Sequence, residues 1–352
     1  MKQSYLNKLC RSSAFWSILF MVLVFTITRL GMLYPQLIER FYSNTLFPFI
    51  ASVLGVLSNW ISVSLSDLFY LFLMLYLFGL VVWLILRRIK WFKFIQRLIV
   101  LSALIYGSFN IVWGFNYYRI PINPRLNITS SKPATAALLE VFEDLVEETN
   151  DAYLKMEINE HEEVLNSIQN SYRLNNNFLS IDTTLLSLTP KRISLSRFFA
   201  SASISGYYGP FFGEVHINKY VPAIEYPSVL AHEMAHKLGV TSEAEANFYA
   251  WYTCVHSQDS RLIYSGNFYL LQYFIYECSK HEGYADIVAK LRPEVKQDFV
   301  QTYEYWMKLM NKNVELVASS VNDAYLKTNN VHDGILDYDG VVRYVVDFKL
   351  SE

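Results

Sequence analysis

Cysteine is scarce in this chain of 352 residues: Cys10, Cys254 and Cys278 are the only three. They are too few for a disulfide framework, and no C-x-x-C pair or Cys/His cluster offers a thiolate metal site. Cys254 and Cys278 are expected to be buried thiols, with pairing as the alternative. Internal repeats and low-complexity tracts are also missing, which excludes stacked-repeat arrays. Beyond residue 116 there is no basic surplus: residues 117–352 carry 20 Lys/Arg against 30 Asp/Glu, net −10, which argues against nucleic acid as a partner. Residues 1–116 carry ten against two, net +8, so the two parts account for the chain's −2. The first apolar run has no small-residue cleavage site after it, and reads as a retained anchor rather than a removed signal peptide.

Apolar residues are abundant. At 53% they exceed what an ordinary soluble protein carries, and the length allows about two domains. Runs at about 14–34, 68–86 and 98–116 are each long enough to cross a hydrocarbon layer of about 30 Å. A further run at 45–63 contains Pro48, Asn59 and several serines, and is expected to be interfacial or re-entrant, with a fourth span as the alternative. Lys2, Lys8 and Arg11 precede the first run, and Arg87, Arg88, Lys90, Lys93 and Arg97 follow the 68–86 run. Basic loops stay cytoplasmic, so an even number of crossings should separate these two clusters. The expectation is a multi-pass cell-membrane protein with a cytoplasmic N-terminus and the bilayer as partner. Everything after about Tyr117 would then be extracytoplasmic.

Residues 1–118 thus read as a membrane domain, 119–135 as a linker rich in Pro, Asn, Ser and Thr, and 136–352 as an ectodomain. Leu138, Leu139, Phe142, Leu145 and Val146 have helical spacing, predicting one long helix or a helical pair over 136–175. In the Gly206–Asn218 stretch three glycines and a proline lead into Glu214, Val215, His216, Ile217 and Asn218, whose alternation marks a strand with one buried face. This strand is either an ordinary one or the edge that pairs with an extended peptide substrate. His216 is expected to be a surface or structural histidine. The apolar stretch up to Cys278 reads as a buried core helix rather than a span, because it contains Asn267 and Gln272. Residues 322–348 should close the domain as a strand or helix.

The chemistry concentrates in His232-Glu233-Met234-Ala235-His236. Histidines four apart share one face of a helix, so both imidazoles can reach one metal ion while Glu233 handles a proton. Pro227 and Ser228 suit a helix start, and Gly239 a helix end. A catalytic zinc needs a third protein ligand and an open position. Ser242 and Glu245 have capping-box spacing, which gives Glu245 a structural role and leaves Glu243 as the third ligand, with Glu245 in reserve. Asn247, one turn after Glu243, is placed to orient a ligand. Tyr264 is a candidate donor to a developing oxyanion.

Trp113-Gly-Phe-Asn116-Tyr-Tyr-Arg119, Gly206–Asn218, His232–Phe248, Tyr264-Ser-Gly and Asn322-Asp-Ala-Tyr-Leu-Lys327 together resemble a bacterial membrane-protein family known as domain of unknown function 3810. The resemblance implies a zinc metallopeptidase on a membrane anchor and names no substrate. Glu243-x-x-Ala246-Asn247 is also similar to the E-x-x-A-D/N element of gluzincin peptidases, but lies only seven residues after His236 and has Asn where many have Asp.

The expected fold class is a multi-pass α-helical membrane anchor followed by a mainly α (α+β), zincin-like metallopeptidase ectodomain with a small sheet. The expected activity is hydrolysis of a peptide or protein substrate, using one Zn2+ per chain held by His232, His236 and Glu243, with Glu233 as general base. Two rival readings are a tethered scaffold with a structural or inactive zinc site, and an intramembrane protease. Glu225, Lys237, Glu243 and Glu245 make the second too polar at the motif.

Overall fold

The computed structural model describes residues 13–130, 133–157 and 161–351. Lys2, Lys8, Cys10 and Arg11, which bear on orientation and thiol chemistry, lie outside the described residues. The chain divides into an N-terminal unit, running to Arg119 and including Gly209–Glu214, and a C-terminal unit holding Ile120–Tyr208 and the residues from Val215 onward. It is mostly helical, with one small sheet.

Four helices of the N-terminal unit are long and apolar enough to cross a membrane: α1 (Ser13–Leu33), α2 (Pro35–Asn59), α3 (Leu65–Ile85) and α4 (Trp91–Val112). Their mainly exposed apolar side chains suit a lipid environment, which makes the unit compatible with membrane association. The 45–63 run therefore belongs to a helix that also qualifies as a span by length and composition. α2 contains a π-helical stretch, Ile38–Leu46, and near its start the Tyr42 hydroxyl donates to the Ile111 carbonyl of α4 at 2.9 Å. Arg119, just past α4, makes a paired contact with Glu39 through Nε to Oε2 at 2.9 Å and Nη2 to Oε1 at 2.5 Å. Further along α2, Ala51, Leu54 and Gly55 lie against Gly213. Phe211 of the same loop packs on Phe69, in the opening turns of α3, and on Phe109, near the end of α4. Both ends of α2 thus meet partners at the C-terminal end of α4.

The C-terminal unit is built on α5 (Thr135–Asp151), α6 (His161–Leu174), α7 (Tyr226–Lys237), α8 (Glu243–Val255), α9 (Ser260–Cys278), α10 (Pro293–Leu309), α11 (Lys312–Thr328) and α12 (Val341–Lys349). The 136–175 pattern thus resolves as a helical pair, and the chain closes in a helix. α9 is the expected core helix, with Phe268, Leu271 and Phe274 fully buried. α7 is buried on almost every side, packed against α6, α8 and α9, which fixes a helix as one rigid body. Cys254 and Cys278 are free and buried.

The sheet overturns one expectation. Its strands β1 (Lys191–Arg192), β2 (Gly206–Gly209) and β3 (Glu214–Ile217) lie in the order β1-β3-β2, with β1 parallel to β3. β3 is the central strand, and all four of its residues are buried rather than alternating. Its main chain already pairs on both sides, so Glu214 to Asn218 cannot act as a free substrate edge. Glu214 accepts instead from Leu65 N, Ser66 N and Ser66 Oγ at the start of α3, where a helix N-terminus favours a carboxylate. Asn218 Nδ2 donates to the carbonyls of Ser196 and Ile204.

The expected 119–135 linker is also not free. Ile122, Leu126 and Ile128 are buried, and Arg125 Nη2 meets Glu245 Oε2 at 2.6 Å while Ile122 N donates to Glu245 Oε1 at 3.1 Å. Apolar side chains and one arginine in a polar stretch dock it onto α8. Removing one member of a buried ion pair leaves the other charge unsolvated. Arg125→Ala should therefore lower unfolding free energy by about 3–5 kcal/mol, and Arg125→Met combined with Glu245→Leu should recover most of that loss. Denaturant titration of the detergent-solubilised chain checks both; an Arg125→Ala protein as stable as the parent would contradict the assignment.

Candidate metal centre

The centre is made by a turn. α7 ends in paired bonds from Gly239 N to the His236 carbonyl and from Val240 N to the Ala235 carbonyl, with Gly239 at φ +86°. This is the Schellman arrangement, in which the left-handed residue carries no Cβ penalty. It reverses the chain immediately after His236, and two residues later Ser242 caps α8, its Oγ accepting from Glu245 N at 3.3 Å. Glu243 opens the helix. A step of seven residues is therefore enough to bring its carboxylate back over the histidines.

Three donor atoms converge. His232 Nε2 lies 3.1 Å from His236 Nε2 and 3.1 Å from Glu243 Oε2, and His236 Nε2 lies 3.4 Å from Glu243 Oε2. The group is one that could hold a metal ion. A tetrahedral ion with N/O bonds of about 2.0–2.1 Å would hold its donors about 3.3–3.4 Å apart, close to these separations.

The other ring nitrogens define the tautomers. His236 Nδ1 is 2.8 Å from the Val240 carbonyl, which can only accept, so Nδ1 carries the proton. His232 Nδ1 is 2.7 Å from Asn247 Oδ1, and Asn247 Nδ2 donates to the Tyr273 hydroxyl at 3.2 Å, so His232 is likewise a donor at Nδ1. When neutral, both imidazoles present Nε2 lone pairs to each other and to a carboxylate. Three acceptors at this distance repel unless a cation lies among them. Burial disfavours a charge on His236, but Glu243 outweighs it and pushes the His236 pKa up to about 9. Burial likewise opposes ionisation of Glu243, and the two histidines override it, holding the carboxyl well below its usual range.

Glu233 is buried beside the cluster, with Oε2 lacking a hydrogen-bond partner. Burial raises its pKa, partly offset by the adjacent histidines. Its other flank is Gly206 of β2, where a Cβ would come within 2.7 Å of Glu233 Oε1. His216 is fully buried, not at the surface, and stacks on Tyr207 at 4.2 Å between ring centres.

The sequence matches a family described as protein of unknown function (DUF3810) over residues 42–346. The chain belongs to that family. The matched region includes every residue of the centre. No curated protein and no solved structure matches the chain.

His232, His236, Glu243, Glu233 and Asn247 are brought together. Glu245 is not: its carboxylate is taken by Arg125 and Ile122 N, so it serves neither as a reserve ligand nor as the returning half of a capping box. Tyr264 is also elsewhere, its hydroxyl donating to Asp298 Oδ2 at 2.6 Å. The phenol that does sense the centre is Tyr338, whose pKa is raised by burial and then by the charges of Glu243 and Glu233. Asp337 and Tyr338 carried no local sequence signal, lying some ninety residues beyond the start of α8.

Glu225, the residue before α7, is buried with its Oε2 accepting from Trp306 Nε1 at 2.7 Å. Burial pushes its pKa up to about 7, against the opposing hydrogen bond from Trp306. The folded chain then binds this proton more tightly than the unfolded chain does. Its contribution to stability is fully present below pH ~4.5 and is lost as pH rises through about 7, a fall of order 3 kcal/mol. Urea titrations across that window should show a steeper loss for the parent than for Glu225→Gln; identical pH slopes would contradict it.

Proposed function

We propose that the protein is a membrane-anchored, zinc-dependent metallopeptidase that hydrolyses peptide bonds on the extracytoplasmic side. The observation that carries this reading is the convergence of His232 Nε2, His236 Nε2 and Glu243 Oε2 at 3.1–3.4 Å, with the buried carboxylate of Glu233 beside them. Zinc held by those three atoms would act as a Lewis acid, polarising a peptide carbonyl and activating a water molecule. Glu233 accepts the water's proton and returns it to the leaving amine. Burial prepares it for the first step, since a raised pKa makes the carboxylate a better base. Asn247 and the Val240 carbonyl hold each imidazole with Nε2 inward.

Glu233→Gln should retain near-stoichiometric zinc while cleavage of a peptide library falls at least ~100-fold. Metal analysis after chelator-free purification and the cleavage assay check this together. A folded, fully active Glu233→Gln protein would sink the mechanism, and a parent without zinc would sink the metal.

For topology, we propose three crossings, α1, α3 and α4, with α2 lying along the outer surface. Support comes from two points along α2: Tyr42, near its start, donates to Ile111 of α4, and Leu54 and Gly55, near its end, lie against Gly213, whose loop neighbour Phe211 packs on Phe109 of α4. A crossing helix carries its ends to opposite faces. Membrane-impermeant maleimide applied to intact cells should label both Tyr34→Cys and Trp60→Cys, on either side of α2, above the parent background and leave Arg88→Cys unlabelled. Labelling of only one of the first two would mean that α2 crosses.

A further inference from the structure

The least supported of the three donors is Glu243. His232 and His236 sit within a buried helix, each with four or more residues of α7 before it. Glu243 is the first residue of α8, where backbone N–H groups have no partner within the helix and ends fray. Ser242 Oγ accepts only the Glu245 amide. The amides of Glu243 and Ala244 both donate to Asp337 Oδ2, at 2.8 and 3.2 Å, and Ser242 Oγ donates to the same oxygen at 2.8 Å.

We propose that Asp337 is the positioning residue of the metal centre, holding the first turn of α8 so that the Glu243 carboxylate stays in register with the histidines. The inference rests on the metal reading above. Asp337 lies in a short 3-10 helical segment, Gly334–Gly340, which contacts the centre a second way: the Tyr338 carbonyl is 3.5 Å from Asn247 Nδ2, the amide group that orients His232. The segment is fastened in turn to α11. Asp323 Oδ1 accepts from Ile335 N at 3.1 Å, and its other oxygen pairs with Lys327 at 2.8 Å. At Gly334, φ is +59° and a Cβ would collide with the Asp323 carboxylate, so the chain can bend there only as glycine. Asp323 therefore holds the segment that holds the ligand.

The test uses the full chain in detergent, stripped of metal, with Zn2+ affinity measured by competition with a chromophoric chelator and Co2+ coordination read from visible absorption. Asp337→Ala should weaken Zn2+ binding about 10–100-fold, the usual cost of losing a partner that orients a ligand, and should alter the Co2+ bands. Asp337→Asn should lose less, because its amide oxygen still accepts but without charge. Asp323→Ala, remote from the donors, should weaken binding in the same direction. Folded Asp337 variants with parental affinity and parental Co2+ spectra would overturn the proposal. If Asp337→Ala does not fold, parental behaviour of Asp337→Asn overturns it alone. A parent that takes up neither Zn2+ nor Co2+ is a different result, overturning the metal reading itself.

Discussion

Everything proposed for this protein depends on one left-handed residue. Gly239 stops α7 and reverses the chain, so the same turn terminates the helix carrying both histidines, presents the Val240 carbonyl to His236 Nδ1, and delivers Glu243 to the opposite side of the donor triangle. A side chain with a Cβ at φ +86° would strain that turn. A longer connection could also return a carboxylate, but it would have to order more backbone. The seven-residue spacing, short beside the gluzincin pattern, is the natural length when two helices meet through a Schellman turn and an N-cap.

A turn this tight leaves the start of α8 exposed to fraying, and the rest of the C-terminal unit compensates with polar contacts from far along the chain. Glu245 is held by Arg125 and the Ile122 amide, Asn247 by Tyr273, and the first amides by Asp337. Each contact satisfies a buried donor or acceptor that would otherwise carry a desolvation cost.

The parts legible in the sequence were those governed by local chemistry. Histidines four apart, Gly239 and Ser242 each act through neighbours within a few residues, and α9 announced itself by an apolar run interrupted by Asn267 and Gln272. What failed was decided by distant partners. Alternation at Glu214–Asn218 suggested one exposed face, but all four residues of β3 are buried, and β1 and β2 pair along its two edges. Glu245 had capping-box spacing, yet Arg125 offered a stronger, charged partner. Tyr264 was one of many tyrosines, and Asp298 claims its hydroxyl. The 119–135 segment had linker composition, but Ile122, Leu126 and Ile128 were enough to dock it. Asp337 could not be found by any local rule, since its meaning comes from amides 93 and 94 positions away.

The central claim is that two imidazoles and one carboxylate share a zinc ion. X-ray absorption at the zinc edge, on full-length protein purified from its native membrane without chelator, tests it most directly. The account predicts about one zinc per chain, with two imidazoles and oxygen donors at about 2.0–2.1 Å and no sulfur. Absence of zinc, a sulfur shell, or a spectrum without paired imidazole scattering would contradict it.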